Sequence, residues 1–311
     1  MRTSHFILPN KVKDQYVYRW LPDEQRPRAV IHIFHGMAEH AGRYEYLAKA
    51  LTDRGYVVYA SDLAGHGKTC KNIEDTGFFY NSDGWFKVVD DLKKLTGNIK
   101  WEYSGVPHIL LGHSMGSFIA RTYASIYPKD IHGLILSGTT WNPGMLLKAG
   151  RAIAGIQSFF AGNNFRSNLL DKMSFGSFNA RISPVRTKFD WLTHDEAIVD
   201  AYIADDRCGF VCTAKMFANL FTGLKFIQKT KNILEIPVDL PVYIFSGSMD
   251  PVGHYSKGPA KVAQIFEECE MKDVTLKLYE GGRHEMLNEI NRDEVIGDLL
   301  NWLEQHVSNT K

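Results

Sequence analysis

Hydrophobic and polar positions follow two rhythms along this chain, and the switching between them outlines a fold. Short apolar runs bounded by turn residues fall at Arg28–Phe34, Val57–Ala60, Ile131–Ser137 and Val242–Phe245, as expected of strands covered on both faces. Val274–Tyr279 alternates every second residue, also a strand pattern. Between these runs, apolar residues recur three and four apart. Arg43–Arg54 places Tyr44, Leu47, Ala48 and Leu51 on one helical face, and Trp85–Ile99, Ala260–Glu268 and Glu294–His306 read as further helices. Two strands at the start, His5–Leu8 and Gln15–Trp20, are expected to form an antiparallel edge. Strands alternating with helices predict the α/β class, with a mostly parallel central sheet flanked by helices.

From about Trp141 to Ile236 the alternation stops and no strand pattern appears. Met145–Phe160 is periodic, with Leu146, Ala149, Ile153, Ile156 and Phe160 on one stripe expected chiefly to pack inward. The motif Phe189-Asp-Trp-Leu-Thr193 follows, then helices at Glu196–Ala204 and Ala214–Thr230. We read residues 1–140 and 237–311 as one core, with 141–236 inserted between two of its strands as a helical cap or lid. Loops beyond the strand ends of such sheets are where sites form.

The chemistry centres on Pro107-His-Ile-Leu-Leu-Gly-His-Ser-Met-Gly116, where an apolar run stops at Gly-His-Ser-Met-Gly and a helical run opens at Phe118-Ile-Ala. That is strand, sharp turn and helix, with Ser114 at the apex and small residues where the backbone is crowded. A serine hydroxyl needs a base, and the base needs a carboxylate that fixes its tautomer. In this arrangement the chain order is Ser, acid, His. His284 follows the strand Val274–Tyr279 in a loop with two glycines, and Asp250 follows Val242–Phe245. His254 is the rival base, but it sits in the loop expected to carry the acid. An alternative acid position after Ile131–Ser137 reads Ser137-Gly-Thr-Thr-Trp141 and holds no carboxylate. Asp62 precedes the serine and reads as a loop-stabilising residue. The backbone N–H groups of Met37 and Met115 are the expected oxyanion donors.

Composition narrows the alternatives. The chain has 311 residues with 44% hydrophobic, 23% charged and a net charge of +1, which fits an ordinary globular protein and gives no case for nucleic-acid binding. No apolar stretch approaches the roughly 20 residues that span a bilayer, and the first residues hold too short an apolar run for a signal peptide. Cys70, Cys208, Cys212 and Cys269 are scattered, as in reduced cytoplasmic proteins. Cys208 and Cys212 lie four apart, yet no His or second Cys pair stands near them in sequence, so no metal is expected. No cofactor is expected either.

Several segments together resemble one family. His35-Gly-Met-Ala-Glu-His-Ala-Gly-Arg-Tyr44, Asp62-Leu-Ala-Gly-His-Gly67, Gly112–Gly116, Ser246-Gly-Ser-Met-Asp-Pro-Val-Gly253 and Gly282-Arg-His-Glu-Met-Leu-Asn-Glu289 are similar to the monoacylglycerol lipase and lysophospholipase group of α/β-hydrolases. The segment Phe189-Asp-Trp-Leu-Thr-His-Asp-Glu196 resembles its bacterial members. Position by position, the resemblance implies the α/β-hydrolase fold, Ser114 as nucleophile, Asp250 as acid, His284 as base, and oxyanion donors at Met37 and Met115. Lys68-Thr69 stands where the group has a small polar residue and Ser, which bears on substrate entry. The implied activity is cofactor-free hydrolysis of monoacylglycerols, lysophospholipids or similar small esters. Leu146, Leu147, Ile153, Ile156, Phe159 and Phe160, beside Lys148 and Arg151, also suit an acyl tunnel or transient contact with a membrane surface. Two other readings stay open. A peptidase removing N-terminal residues would draw on Asp195, Glu196, Asp205 and Asp206 to hold the α-amine, and a hydrolase-fold binding protein would need no turnover.

Overall fold

The computed structural model describes residues 1–23, 26–141 and 144–307, without the side chains of 144–146, so the expected role of Leu146 lies outside the described residues. Eight strands form one sheet: β1 (Arg2–Leu8), β2 (Gln15–Leu21), β3 (Val30–Phe34), β4 (Val57–Ser61), β5 (His108–His113), β6 (Gly133–Ser137), β7 (Val242–Gly247) and β8 (Val274–Tyr279). Their spatial order is β1-β2-β4-β3-β5-β6-β7-β8. β1 and β2 form the expected antiparallel edge, and β2 meets β4 antiparallel. All remaining pairs are parallel.

Alternate residues explain why both faces need cover. Ile31 and Ile33 of β3, with Ile109 and Leu111 of β5, pack on one side with α1 (Glu45–Thr52) and α10 (Arg292–Val307). Phe34 and Leu110 point to the other side, against α2 (Gly84–Glu102), α3 (Met115–Ile126) and α9 (Lys257–Glu268). The run expected at Arg43–Arg54 divides, with a 3₁₀ turn at Ala41–Tyr44 before α1.

Between β6 and β7 come α4 (Gly144–Ala161), α5 (Asn168–Phe175), α6 (Glu196–Ala204), α7 (Ala214–Ile227) and the short α8 (Thr230–Ile233). The hydrophobic pattern missed α5, whose signal is an N-cap: the Ser167 hydroxyl accepts the Leu170 N–H at 3.1 Å. The expected inward stripe of α4 holds at Ile153, which packs against the core, and fails toward the end of the helix. Leu147, Gly150 and Ala154 are buried, whereas Ile156 and Phe160 are 59% and 81% exposed. Small residues decide this face, since a Cβ on Gly150 would come within 2.8 Å of the Phe221 ring on α7.

Candidate active site

Parallel strands end on the same edge, so the loops after β3, β5, β7 and β8 converge there. The turn after β5 is the tightest. Ser114 has φ 52° and ψ −120°, a conformation that L-residues rarely adopt. Both flanking glycines are required. A Cβ on Gly112 would stand 2.4 Å from the Gly116 carbonyl oxygen, and one on Gly116 would stand 1.9 Å from that of Phe34. The serine is held by its backbone, with its N–H donating to the Ser137 carbonyl at 2.9 Å.

The loops after β7 and β8 are joined to each other. Met249 N–H donates to the Gly282 carbonyl at 2.9 Å, and Ser248 N–H to that of Tyr279 at 2.8 Å. This brings Asp250 and His284 together, with His284 Nδ1 2.9 Å from Asp250 Oδ1. The same carboxylate accepts the Val252 N–H at 2.8 Å and the Ser246 hydroxyl at 3.0 Å. His284 lies 5.2 Å from the Trp191 ring and 4.8 Å from that of His113, centroid to centroid. Burial opposes charging of its imidazole, yet Asp250, Glu285 and Glu39 together raise its pKa above the ordinary histidine value. Ser114 and His284 line one cavity, with no hydrogen bond between them. Such bonds commonly tighten only in the substrate complex.

The loop after β3 carries Met37. Among the described residues nothing accepts the N–H of Met37 or of Met115, and both residues lie beside Ser114. Around this loop stands an ion-pair web that hydrophobic patterning did not single out. Arg43 makes a two-pronged bond to Glu285, both arms 2.7 Å, and reaches Glu39 at 2.8 Å. Glu39 also accepts the Gly36 N–H at 2.5 Å and the Tyr44 hydroxyl at 3.0 Å. Burial would raise the Glu285 pKa, but the Arg43 guanidinium overrides it and holds the group at about 2. Glu39 and Arg43 stand four apart, but Glu39 precedes the 3₁₀ turn Ala41–Tyr44, so helical periodicity did not reveal this pair. Glu285, 242 residues from Arg43, left no such signal either.

Asp62 behaves as the loop support expected of it, accepting the Ala41 N–H at 2.8 Å and the Lys68 N–H at 2.6 Å. Lys68 extends over Tyr16, 4.9 Å from the ring centroid. The motif Phe189–Thr193 also finds a role. Its carbonyls at Trp191 and Leu192 accept the N–H groups of His284 and Glu285 at 3.3 and 2.7 Å, so it supports the loop after β8.

Two cavities meet at Ser114. One, about 280 Å³, is lined by Met37, Phe175, Phe189, Trp191, Leu192 and Phe210, with the charged Glu39, Asp171, Lys172 and Lys188 and with His284. The other, about 300 Å³, is walled by Met115, Phe118, Leu147, Leu170, Phe221 and Leu224. His254 lies on the second cavity, while Asp250 bonds His284. Asp195 caps α6 and pairs with Arg292 at 3.2 Å, Glu196 meets Arg186, and Asp205 bonds His40. Neither these acids nor Asp206 line either cavity.

Sequence proximity missed one cluster. His40, Asp205 and Cys208 bring ligand-type atoms within 4.8 Å of one another. The hydrogen bonds argue against a metal there. The Gly42 N–H donates to His40 Nδ1 at 3.2 Å, so the proton sits on Nε2 and donates to Asp205 at 2.8 Å. The lone pair a cation would need is taken.

The order of this sheet, with a serine elbow on its central strand, defines an α/β-hydrolase. Comparison with known proteins narrows the class. The chain belongs to the hydrolase family described as serine aminopeptidase, S33, whose model matches residues 25–291. A monoacylglycerol lipase of Mycolicibacterium smegmatis is 28% identical, across 93% of this chain and 92% of its own. A monoglyceride lipase of Rattus norvegicus is 28% identical, across 94% of this chain and 88% of its own. The solved structure of a thermostable carboxyl esterase from Bacillus coagulans in complex with glycerol matches with TM-score 0.91, at 26% identity and 99% coverage of both chains. The chain is a hydrolase similar to the monoacylglycerol lipases.

Proposed function

We propose that this hydrolase cleaves carboxylic esters of monoacylglycerols, lysophospholipids or similar lipid-like substrates through an acyl-enzyme on Ser114. The observation that carries the reading is Ser114 at the junction of two largely apolar cavities, one of which also carries charged groups, beside the bonded His284–Asp250 pair. The acyl chain lies along Phe118, Leu147, Leu170 and Leu224, and the leaving alcohol occupies the cavity that carries Asp171, Lys172 and Lys188. Ser114 Oγ attacks the ester carbonyl as His284 takes its proton. The oxyanion is held by the N–H groups of Met37 and Met115, the second at the start of α3. His284 then protonates the leaving alcohol and activates water for the second half-reaction. Asp250 keeps the proton on Nδ1 so that Nε2 faces the chemistry. No metal or cofactor enters this scheme.

Residues 141–236 act as the cap over these cavities. Phe159 and Phe160 at its outer helix are 82% and 81% exposed, which suits transient contact with a lipid surface. No helix among the described residues is long and apolar enough to cross a membrane. The four buried, free cysteines support a reducing, cytoplasmic setting. The peptidase reading finds less support. Of the three acids at the cavity wall, Glu39 and Glu285 are engaged by Arg43, which leaves Asp171, beside the charge of Lys188, as the one available to an α-ammonium group.

The test is a panel of monoacylglycerols, lysophospholipids, short-chain esters and amino-acid anilides, scored by kcat/KM. Ester turnover should exceed anilide turnover, and S114A should lower it by about 10⁴–10⁶ with the fold intact by circular dichroism. A fluorophosphonate probe should label wild type but not S114A. Wild-type turnover by S114A, or preference for anilides, would overturn the reading.

A further inference from the structure

The loop that carries Met37 is held at two points, and one of them lies in the cap. On the near side, Glu39 holds the Gly36 N–H at 2.5 Å. On the far side, the Ala38 carbonyl accepts two hydrogen bonds, from the Tyr202 hydroxyl at 2.8 Å and the Gly209 N–H at 2.9 Å. Both donors belong to the segment between β6 and β7, 164 residues or more from Ala38 in sequence. The Gly36–Met37 peptide hangs between these two pins.

The second pin has work to do. Ala38 sits at φ 56°, where a side chain costs energy that glycine avoids. A backbone placed there relaxes unless its neighbours hold it. Tyr202 is well placed to hold it, with its ring 4.8 Å from the Arg43 guanidinium. That guanidinium is itself fixed by Glu39 and Glu285, on the two loops bearing Met37 and His284.

We propose that Tyr202 is a positioning residue for ester hydrolysis: with the Gly209 N–H it clasps the Ala38 carbonyl from the cap and thereby aims the Met37 N–H at the oxyanion. This rests on the serine-esterase reading above. Segment 189–209 of the cap is thus a fixed wall of the active site, since Trp191 and Leu192 hold the His284 loop as Tyr202 and Gly209 hold the Met37 loop.

The test compares wild type, S114A, Y202F and Y202F/A38G on one monoacylglycerol, with an alkylboronic acid as tetrahedral analogue. Y202F keeps the ring over Arg43 and removes only the hydroxyl. It should lower kcat about 3–10-fold, the scale of one net hydrogen bond, with KM within about twofold. The boronate Ki should rise by the same factor. In the double variant, glycine accepts the positive φ without strain and should restore part of kcat. An inactive S114A together with wild-type kcat and boronate Ki in Y202F overturns the clasp and spares the esterase reading. A raised KM at unchanged kcat, the behaviour of a cavity wall alone, also overturns it. Full turnover by S114A instead overturns the esterase reading itself.

Discussion

His284 is 2% exposed, and burial alone would depress an imidazole pKa. The neighbouring carboxylates of Asp250, Glu285 and Glu39 reverse the direction. The consequence for rate follows from the sign. A general base works in its neutral form, so activity should fall as pH drops through a pKa above the ordinary histidine value of about 6.5. E285Q removes one of the raising charges and should move this acid limb to lower pH, read from kcat/KM against pH. A limb that stays in place or moves upward would show that these charges do not set the base. The same residue separates the rival histidines. H284A should match S114A in loss of turnover, while H254A should keep the catalytic rate. The reverse pattern would reassign the base to the second cavity.

At the scale of elements, close approach decides more than propensity does. The strand β5, the elbow and α3 pack against β3 so tightly that Gly116 leaves no room for a methyl group beside the Phe34 carbonyl. G116A must shift backbone and not merely a side chain. It should cost about 1–3 kcal/mol or more and lower kcat, because the Met115 N–H moves with the helix. Gly297 on α10 is the control, since nothing lies within 4 Å of an added Cβ. G297A should stabilise by up to about 1 kcal/mol through helix propensity alone. Thermal melts of both variants check the contrast, and equal behaviour would mean the elbow is not under this constraint. The spacing of apolar residues made most of these elements legible. The opposite occurred in α4, where periodicity located the helix and Ile153 but misplaced Ile156 and Phe160. Gly150 and Ala154 pack there because they are small, and a hydrophobicity pattern gives small residues little weight.

Across the whole molecule, burial of histidine sets the response to acid. Burial depresses the pKa of His35, His66 and His108 to about 3 and that of His113 to about 4, and pushes His32 well below its ordinary value. Unfolded, these residues take up protons near pH 6.5, whereas in the folded chain they stay neutral far lower. Between about pH 6.5 and 4 the unfolded state therefore binds more protons, and stability falls as pH falls. Each such histidine contributes about 1.4 kcal/mol per pH unit. Buried Asp62 and Asp91, both raised to about 6, act in the opposite sense below that pH because the folded state binds their protons first. Burial also lowers His132 and raises Asp171, and six groups against three leave the histidines ahead. The melting temperature should drop between pH 7 and pH 5, and an unchanged or higher value at pH 5 would contradict this balance. His284 opposes the trend only at the top of this window: its pKa is raised, so it adds stability as pH falls toward about 6.5, and its contribution is constant below that.

Read alone, the amino-acid order determined the α/β class, the strand–serine–helix elbow, and Asp250 and His284 as the residues most suited to stand after the late strands. Those features are local: apolar spacing, glycine beside serine, and position relative to a strand end. Tertiary structure decided which distant groups meet. It joined Arg43 to Glu285, laid Phe189–Thr193 under the loop that carries His284, brought Tyr202 and Gly209 to Ala38, and turned the aromatic end of α4 outward. Hydrogen bonds and ion pairs between segments leave no periodic trace in the chain, because each needs only one suitable atom on either side and a fold that brings the two within 3 Å.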